Sequence, residues 1–583
     1  LGPSGTISIS SPTTSVSRIY FGGDRAFDLG GLTLNGTIVL EANASANAAI
    51  RETLLHGISG SIRGNGTIEK TGDGSFEFRS YSGNDYKGAL VIREGTLLIS
   101  NDNQLGYISS SEPAAIFLAG GVLAMRDSTP YGILHNIDNA AGTSGTISIG
   151  SMGTLALSYP ITGGGTLNII GQHWLPDQDV PTSNASSGTI NSFSGTLNLA
   201  VPLTLKSAAS FRNISELVLG DKLTSNNTGV SSTVYGNRLS DTATIILRGG
   251  VIAASGGLGD ARETVGPIIV DAGSCNITYG GPPVSIPSLT RNNRAILTLG
   301  SSQRVTTPVP LSGDGAAGTP DVGIVPWIRR NQFPATPMTY QGTSLRILAS
   351  SEYITAIPAG VTASNLKLDG GGTITAPATV NSLSLWNGDL RGSQTLTITS
   401  GAIFTGLASG PGTLSIYAPI DFGTAEGILH GSDYATGGGR VTGPQRLRML
   451  GPISGTNGLT IAGTVYLGGT STYTGQTVAY GELEIDAADV TPGVPGPLGV
   501  DTSPLRMACG AGSVTLTIGS QDTPAVHFGR DIDVETHGSG TAAIWSSYKK
   551  IYGNDTITGN IRVTGMLSLN NRPHAVFDPP FGI

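Results

Sequence analysis

The residues best able to do chemistry in this sequence are few and scattered. The 7 histidines, His56, His135, His173, His430, His527, His537 and His574, occur singly. None has a second histidine at ligand spacing. There is no G-x-S-x-G elbow, no phosphate-cradling glycine loop, no C-x-x-C and no H-E-x-x-H. The nonapeptide calcium repeat of β-rolls is absent. Gly72-Asp73-Gly74 and Gly313-Asp314-Gly315 therefore read as turns rather than calcium ligands. The best case for catalysis is a pair of acids, because glycoside cleavage needs two carboxylates ~5–9.5 Å apart. Asp177 and Asp179 lie beside His173 and Trp174, where an indole could stack on a sugar. Asp531 and Asp533 share one side of a strand by the period of two. Both pairs read more simply as solvent-facing acids. No catalytic, cofactor-binding or metal-ligating residue is assigned, no cofactor is expected, and the protein is not expected to be an enzyme.

The elements that would position such residues are short strands. The chain has 583 residues, 86 of them glycine, with 12% charged residues. Average soluble domains carry roughly 25% charge. Disorder does not follow, since disordered chains are poor in the Val, Ile, Leu and Thr that crowd this one. Runs of three to five residues such as Thr96-Leu97-Leu98-Ile99, Thr154-Leu155-Ala156-Leu157, Thr196-Leu197-Asn198-Leu199 and Thr395-Leu396-Thr397-Ile398 succeed one another along the length. Most alternate apolar with polar, beside Gly, Asn, Asp or Ser. The commonest unit is Gly-Thr followed by an apolar residue, as at Gly95-Thr96-Leu97, Gly145-Thr146-Ile147, Gly165-Thr166-Leu167 and Gly195-Thr196-Leu197. Glycine supplies a φ > 0 corner and the next residues enter a strand. Repetition of that step predicts an all-β, parallel β-helix (β-solenoid) with loop excursions. The nearest helix candidates, 46–55 and 487–490, are short and weakly amphipathic.

Three stretches break the rhythm. Residues 306–353 hold Pro308, Pro310, Pro320, Pro326, Pro334 and Pro337. Proline cannot donate to a central ladder, so this stretch reads as an excursion, either a flap or a coil-covering loop. Residues 172–187 and 487–504 are two further excursions. The expected organisation is an N-terminal solenoid over 1–305, a Pro-rich excursion or junction over 306–356, and a C-terminal solenoid over 357–583.

Two segments resemble the autotransporter-associated β-strand repeat of bacterial surface and secreted proteins. One runs from Gly64-Asn65-Gly66-Thr67-Ile68-Glu69-Lys70-Thr71-Gly72 through Tyr86-Lys87-Gly88 and Glu94-Gly95-Thr96-Leu97 to Leu105-Gly106. The other holds Tyr473-Thr474-Gly475, Gly481-Glu482-Leu483 and Leu498-Gly499. Lys87 and Glu482 stand where the repeat usually has Thr; the turn glycines are kept. The stretches around Trp327 to Tyr353 and Leu383 to Leu390 also look like those of large bacterial proteins of this kind. The resemblance implies a right-handed β-helix at the cell surface and no catalytic residues.

Charge and hydropathy bound the partners. The net charge is −8 without a basic run, so nucleic acid is not expected. No apolar stretch reaches the 18 or so residues of a membrane helix; the most apolar patch, 114–125, is broken by Gly120 and Gly121. The chain starts at Leu1 without a signal-peptide pattern and is taken as either a mature, processed form or the core portion of a longer chain. No membrane-barrel pattern follows, so a barrel is expected to have been removed or never present. Cys275 and Cys509 would lie ~50 Å apart in one straight stack, which argues against an intrachain disulfide. Asn43, Asn65, Asn84, Asn101, Asn198 and Asn213 are candidates for coil-to-coil amide ladders. Asn-x-Ser/Thr triplets such as Asn35 and Asn276 are expected by chance in so Thr- and Ser-rich a chain. No obvious cap protects the solenoid ends, and unpaired strand edges invite pairing with another chain. The expected function is an extracellular or cell-surface structural protein that self-associates into a filament, sheath or surface layer. A monomeric adhesin with a glycan or cell-surface partner is the first alternative, and a polysaccharide-degrading enzyme the second.

Overall fold

The computed structural model describes residues 26–28, 32–34, 37–41, 56–59, 62–64, 67–78, 85–106, 115–125, 131–133, 135–149, 155–157, 161–171, 179–180, 193–205, 211–226, 238–255, 263–279, 283–300, 302–330, 335–406, 413–431, 446–487, 489–519, 526–546 and 555–570. These residues form an all-β protein with long parallel sheets, as the short-strand pattern predicts. The chain divides into two compact units, 1–245 with 254–266, and 246–253 with 267–583.

In the first unit, strands from successive coils stack in parallel. Thr96–Ile99 pairs with Val122–Met125, that strand with Ser144–Ile149, and so on through Thr166–Gly171, Thr196–Leu199 and Glu216–Leu219. Register puts like on like. Leu97, Leu123, Ile147, Ile169, Leu199 and Leu219 form one inward column, each buried. Each such side chain contributes roughly 1.5–3 kcal/mol by leaving water. A second sheet runs from Thr37–Glu41 through Thr67–Thr71, Leu90–Ile92, Ala115–Leu118 and Asn136–Asn139 to Ile161–Gly163.

The Gly-Thr unit works for two physical reasons, only one of which the sequence argument anticipates. Gly95 has φ +61, the left-handed corner expected of it. Gly165 and Gly195 do not; there the coil beneath is too close for a side chain. A Cβ on Gly165 would lie 2.4 Å from the Ala140 carbonyl oxygen, and one on Gly195 1.9 Å from that of Gly165. Gly95 carries both constraints, since its Cβ would meet the Gly72 oxygen at 2.3 Å. Gly95→Ala is therefore expected to cost more than about 2 kcal/mol. The readout is amide exchange at Thr96, whose N–H donates to Gly74 O at 3.1 Å; unchanged protection would contradict the close-contact account.

The repeat-like segments form the turns their glycines imply. Lys70 is fully buried, and its ammonium donates to the carbonyls of Thr71, Gly72 and Glu94 at 2.7, 2.8 and 3.1 Å. Burial lowers its pKa to about 8, so it remains mostly charged at neutral pH. Tyr473 is buried with its hydroxyl 2.7 Å from Thr477 Oγ1. Gly475 (φ +90) donates its N–H to Asp501 Oδ2 at 2.9 Å. Of the ladder candidates, Asn198 does join one, donating to Asn168 Oδ1 at 2.7 Å from the next coil. Asn43, Asn65 and Asn84 lie outside the described residues.

The second unit contains two stacks. Its last rungs before the proline-rich stretch pair Ile268–Ala272 with Ser285–Arg291, Ser274–Tyr279 with Ile296–Leu299, and Ile296–Leu299 with Val325–Arg330. There the parallel pattern ends. Val325–Arg330, Thr336–Gln341, Ser344–Ile347 and Gln303–Thr307 form an antiparallel sheet. Pro326 sits where the register shifts between Val325 and Arg329, a place that tolerates a missing donor. The excursion is thus a folded cover, not an open flap. Glu352 fastens it: its carboxylate takes two 2.6 Å bonds from Arg346 and the N–H groups of Gly318 and Ala349, each at 2.7 Å. The Arg346 bonds hold its pKa down at about 2.

Parallel stacking resumes at Ile354, which bridges Leu366. Two sheets of nine strands follow, from Asn365–Asp369 to Ile561–Thr564 and from Gly372–Ile374 to Leu567–Asn570. Leu366, Leu383, Ile403, Leu429, Ile461, Ala479, Met507 and Val534 line one inward column. Asn365 caps the first rung, donating to Pro320 O at 3.0 Å and Val322 O at 2.8 Å, and Asn381 on the next coil donates to Asn365 Oδ1 at 3.0 Å. Within 487–490, the weakly amphipathic stretch, Asp489–Val490 is a strand pairing in parallel with His527–Phe528. The candidate at 46–55 lies outside the described residues.

Candidate functional site

Of the acids singled out by type and spacing, Asp531 and Asp533 are ion-paired. Asp533 Oδ1 and Asp531 Oδ2 accept from Arg562 Nε at 2.9 Å and Nη2 at 3.3 Å. They share a face, as the period of two requires, and one guanidinium bridges them. Asp179 lies in the strand Asp179–Val180, opposite Thr204. Asp177, His173, Trp174 and His574 lie outside the described residues. His56 belongs to the strand His56–Ser59. His135 is buried against Asp102, Nδ1 to Oδ1 at 2.9 Å. His527 stands between Asp489 and Thr558, at 3.3 and 3.1 Å. His537 lies 3.6 Å from Glu535, whose pKa falls to about 2 beside His537 and the Arg506 guanidinium that bonds to it. Gly72 and Gly313 have φ +74 and +95, which places them in turns. Among the described residues no group of three or more His, Cys, Asp or Glu is placed to hold a metal.

Stacking builds one charged cluster that sequence spacing does not single out. Glu482 and Glu484 alternate outward on the strand Glu482–Ile485, with Asp486 just beyond it. The neighbouring rungs bring Tyr466 beside Glu484, and Arg448 beside Tyr466. Arg446 Nη1 donates to Glu484 Oε2 at 2.7 Å and lies 3.9 Å from Glu482. The Arg448 guanidinium sits 4.4 Å from the Tyr466 ring centroid. The Tyr466 hydroxyl donates to Asp486. Burial raises the pKa of Glu484, and it pushes the Tyr466 hydroxyl up to about 12. A carboxyl, a tyrosine and two arginines can in principle move a proton. Here Glu484 is 8% and Tyr466 6% exposed, so both are largely shut off from solvent, while Arg446 and Glu482 stand at the surface. The only trace in the sequence is Glu482 standing where the repeat usually has threonine.

A second arrangement joins the two stacks of the second unit. Arg291 grips Glu426 with two bonds, at 2.7 and 2.9 Å. It also lies 5.8 Å from the Trp327 ring centroid. Arg294 donates to Gln476 O at 2.7 Å, Tyr480 to Asn293 O at 2.6 Å, and the Ala511 N–H to Gly249 O at 3.0 Å. Arg329, fully enclosed, donates to Gly431 O at 2.7 Å and to Thr298 Oγ1 at 3.1 Å. Burial brings its pKa down to about 10, so it keeps its charge at neutral pH. His430 donates Nε2–H to Pro326 O at 2.7 Å and stacks on Phe404 at 4.5 Å. The stack after the excursion therefore lies against the rungs before it.

That doubling-back corrects the separation expected of the cysteines. The ~50 Å figure assumed one straight stack. Instead Gly249 approaches Gly510, the residue after Cys509, while the amide of Asn276, next to Cys275, donates to Gly250 O at 3.0 Å. Neither cysteine is in a disulfide, and both are buried. Burial pushes Cys275 up to about 12, which makes it unreactive.

The last described rung pairs with one neighbouring coil among the described residues. Thr556–Ile557, Ile561–Thr564 and Leu567–Asn570 are each last in their sheet. Val563, Met566 and Leu569 are 43, 43 and 36% exposed there. No described helix is long and apolar enough to cross a membrane.

These features define the class as an all-β protein of stacked parallel coils, consistent with a β-solenoid. No family model matches the chain, and no curated protein or solved structure matches it.

Proposed function

We propose that the protein is a non-catalytic structural subunit, of the kind its resemblance to the autotransporter-associated β-strand repeat implies. It acts at the bacterial cell surface or outside the cell and self-associates into a filament, sheath or surface layer. The observation that carries this reading is the last described rung, which exposes three apolar side chains and, among the described residues, pairs on one side. Such an edge is a template for another chain. A repeated head-to-tail contact does not close on itself and gives a fibre. The pairing of Asp531 and Asp533 with Arg562, and of Glu484 with Arg446, also favours bracing over acid–base work.

Light scattering against protein concentration tests the proposal. The native chain is expected to gain mass with concentration, and Val563→Glu with Met566→Asp to stay small. Both positions are exposed, so these changes leave the core intact. A native chain that scatters as a monomer throughout would remove the structural reading.

A further inference from the structure

The outer face of the first unit's second sheet contains a cavity of about 260 Å³ lined by Val91, Arg93, Phe117, Leu118, Ala119, Asp138 and Ala140. It arises from register. The outward positions of successive coils are Glu69, Val91, Phe117, Asp138 and Thr162. Their inward neighbours Ile68, Leu90, Ile116 and Ile137 fill the core. The alternation that buries Ile116 and Leu118 thus presents the Phe117 ring outward, 37% exposed. On its two sides along the stack lie Val91 and Asp138.

The floor and rim differ in chemistry. Val91, Phe117, Ala119 and Ala140 make an apolar floor. The rim has one cation and one anion: Arg93, ion-paired to Glu69, and Asp138, whose Oδ2 accepts the Thr162 hydroxyl at 2.8 Å. A few polar groups around an apolar, aromatic concavity are the usual composition of a small-ligand site. A pyranose ring has the matching two-sided character. Its C–H face suits an aromatic ring, and its hydroxyls both donate to a carboxylate and accept from a guanidinium. The rim's charges oppose each other, so a neutral sugar fits better than an anionic or a cationic one.

We propose that this cavity binds one ring of a neutral glycan chain, with Phe117 as the stacking platform and Asp138 and Arg93 as the hydroxyl partners. The rung at residues 555–570 plays no part, so this inference does not depend on the assembly reading.

The test is native affinity electrophoresis of the full chain in gels with soluble β-glucan, xylan or galactomannan, and in gels with anionic alginate. It is run on the native protein and on the Val563→Glu, Met566→Asp form, so that loss of assembly and loss of binding are read separately. Retardation by at least one neutral glycan is expected in both. Phe117→Ala should weaken it about tenfold or more, the worth of one aromatic stacking contact. Phe117→Trp should keep it, and Asp138→Asn should weaken it. Phe117 lies on the surface, so circular dichroism of Phe117→Ala should match the native protein. Failure of all three neutral glycans, retardation by alginate alone, or equal binding by Phe117→Ala would each overturn the proposal.

Discussion

Acidification from pH 7 to pH 5 is expected to loosen the contact between the two stacks of the second unit by about 2 kcal/mol, through His430 alone. The ring is buried, and burial lowers its pKa from 6.5 to about 3. The positive charges of Arg329 and Arg291 act in the same direction; the Nε2–H bond to Pro326 O opposes them. The folded state therefore keeps the imidazole neutral, while the unfolded chain takes up a proton below pH 6.5. Stability is full above that value, falls by about 1.4 kcal/mol per pH unit below it, and levels off near pH 3 after a loss of about 5 kcal/mol. The carboxylates that also lose stability in acid, Glu352 and Glu535, have folded pKa values of about 2 and ordinary values of 4.5. Their losses begin lower, so between pH 6.5 and 5 the loss through His430 precedes theirs. Protection factors at Ala335 and Gly431, whose N–H groups donate to Thr405 O and Ala462 O, report the loosening. His430→Phe keeps the stack on Phe404 and should flatten the pH dependence; an unchanged slope in that variant would refute the assignment.

Removing Arg291 is expected to cost about 3–5 kcal/mol at the same contact. Its guanidinium makes both bonds to Glu426 and also donates to Ala295 O at 2.7 Å and Arg294 O at 2.8 Å. The Arg291 and Glu426 side chains are 17 and 14% exposed, so the carboxylate left in Arg291→Ala is mostly shut off from water. Thr460 Oγ1 still donates to it at 2.5 Å, which puts the expected cost at the lower end. The paired change Arg291→Met with Glu426→Met should recover much of the loss, because it strands no charge. The readout is amide exchange at Gly458 and Ala511. A double variant no better than Arg291→Ala would show that the packing of the arginine, not its charge, holds the stacks together.

The local half of this fold is legible in the sequence because a parallel coil is a local object. Alternation in Thr96-Leu97-Leu98-Ile99 gives the buried faces, and the Gly-Thr step gives the corners. What separates Gly95 from Gly165 and Gly195 is the coil beneath, and a periodicity argument does not contain that coil. The prolines of 306–353 mark the place where the ladder breaks, but not the antiparallel cover that replaces it. Two residues paired across 135 positions, Arg291 and Glu426, leave no spacing signal. A straight stack was therefore the natural assumption, and it misplaced Cys275 relative to Cys509. The Phe117 cavity was hidden inside the most apolar patch of the chain. Reading that patch by twos turns Phe117 outward, but the register with Val91 and Asp138 is needed to make a cavity of it.

Negative-stain electron microscopy of the concentrated chain tests the structural reading most directly. Fibres or sheets with one regular repeat, lost in the Val563→Glu, Met566→Asp form, are the predicted result. A field of separate single particles at every concentration would contradict it.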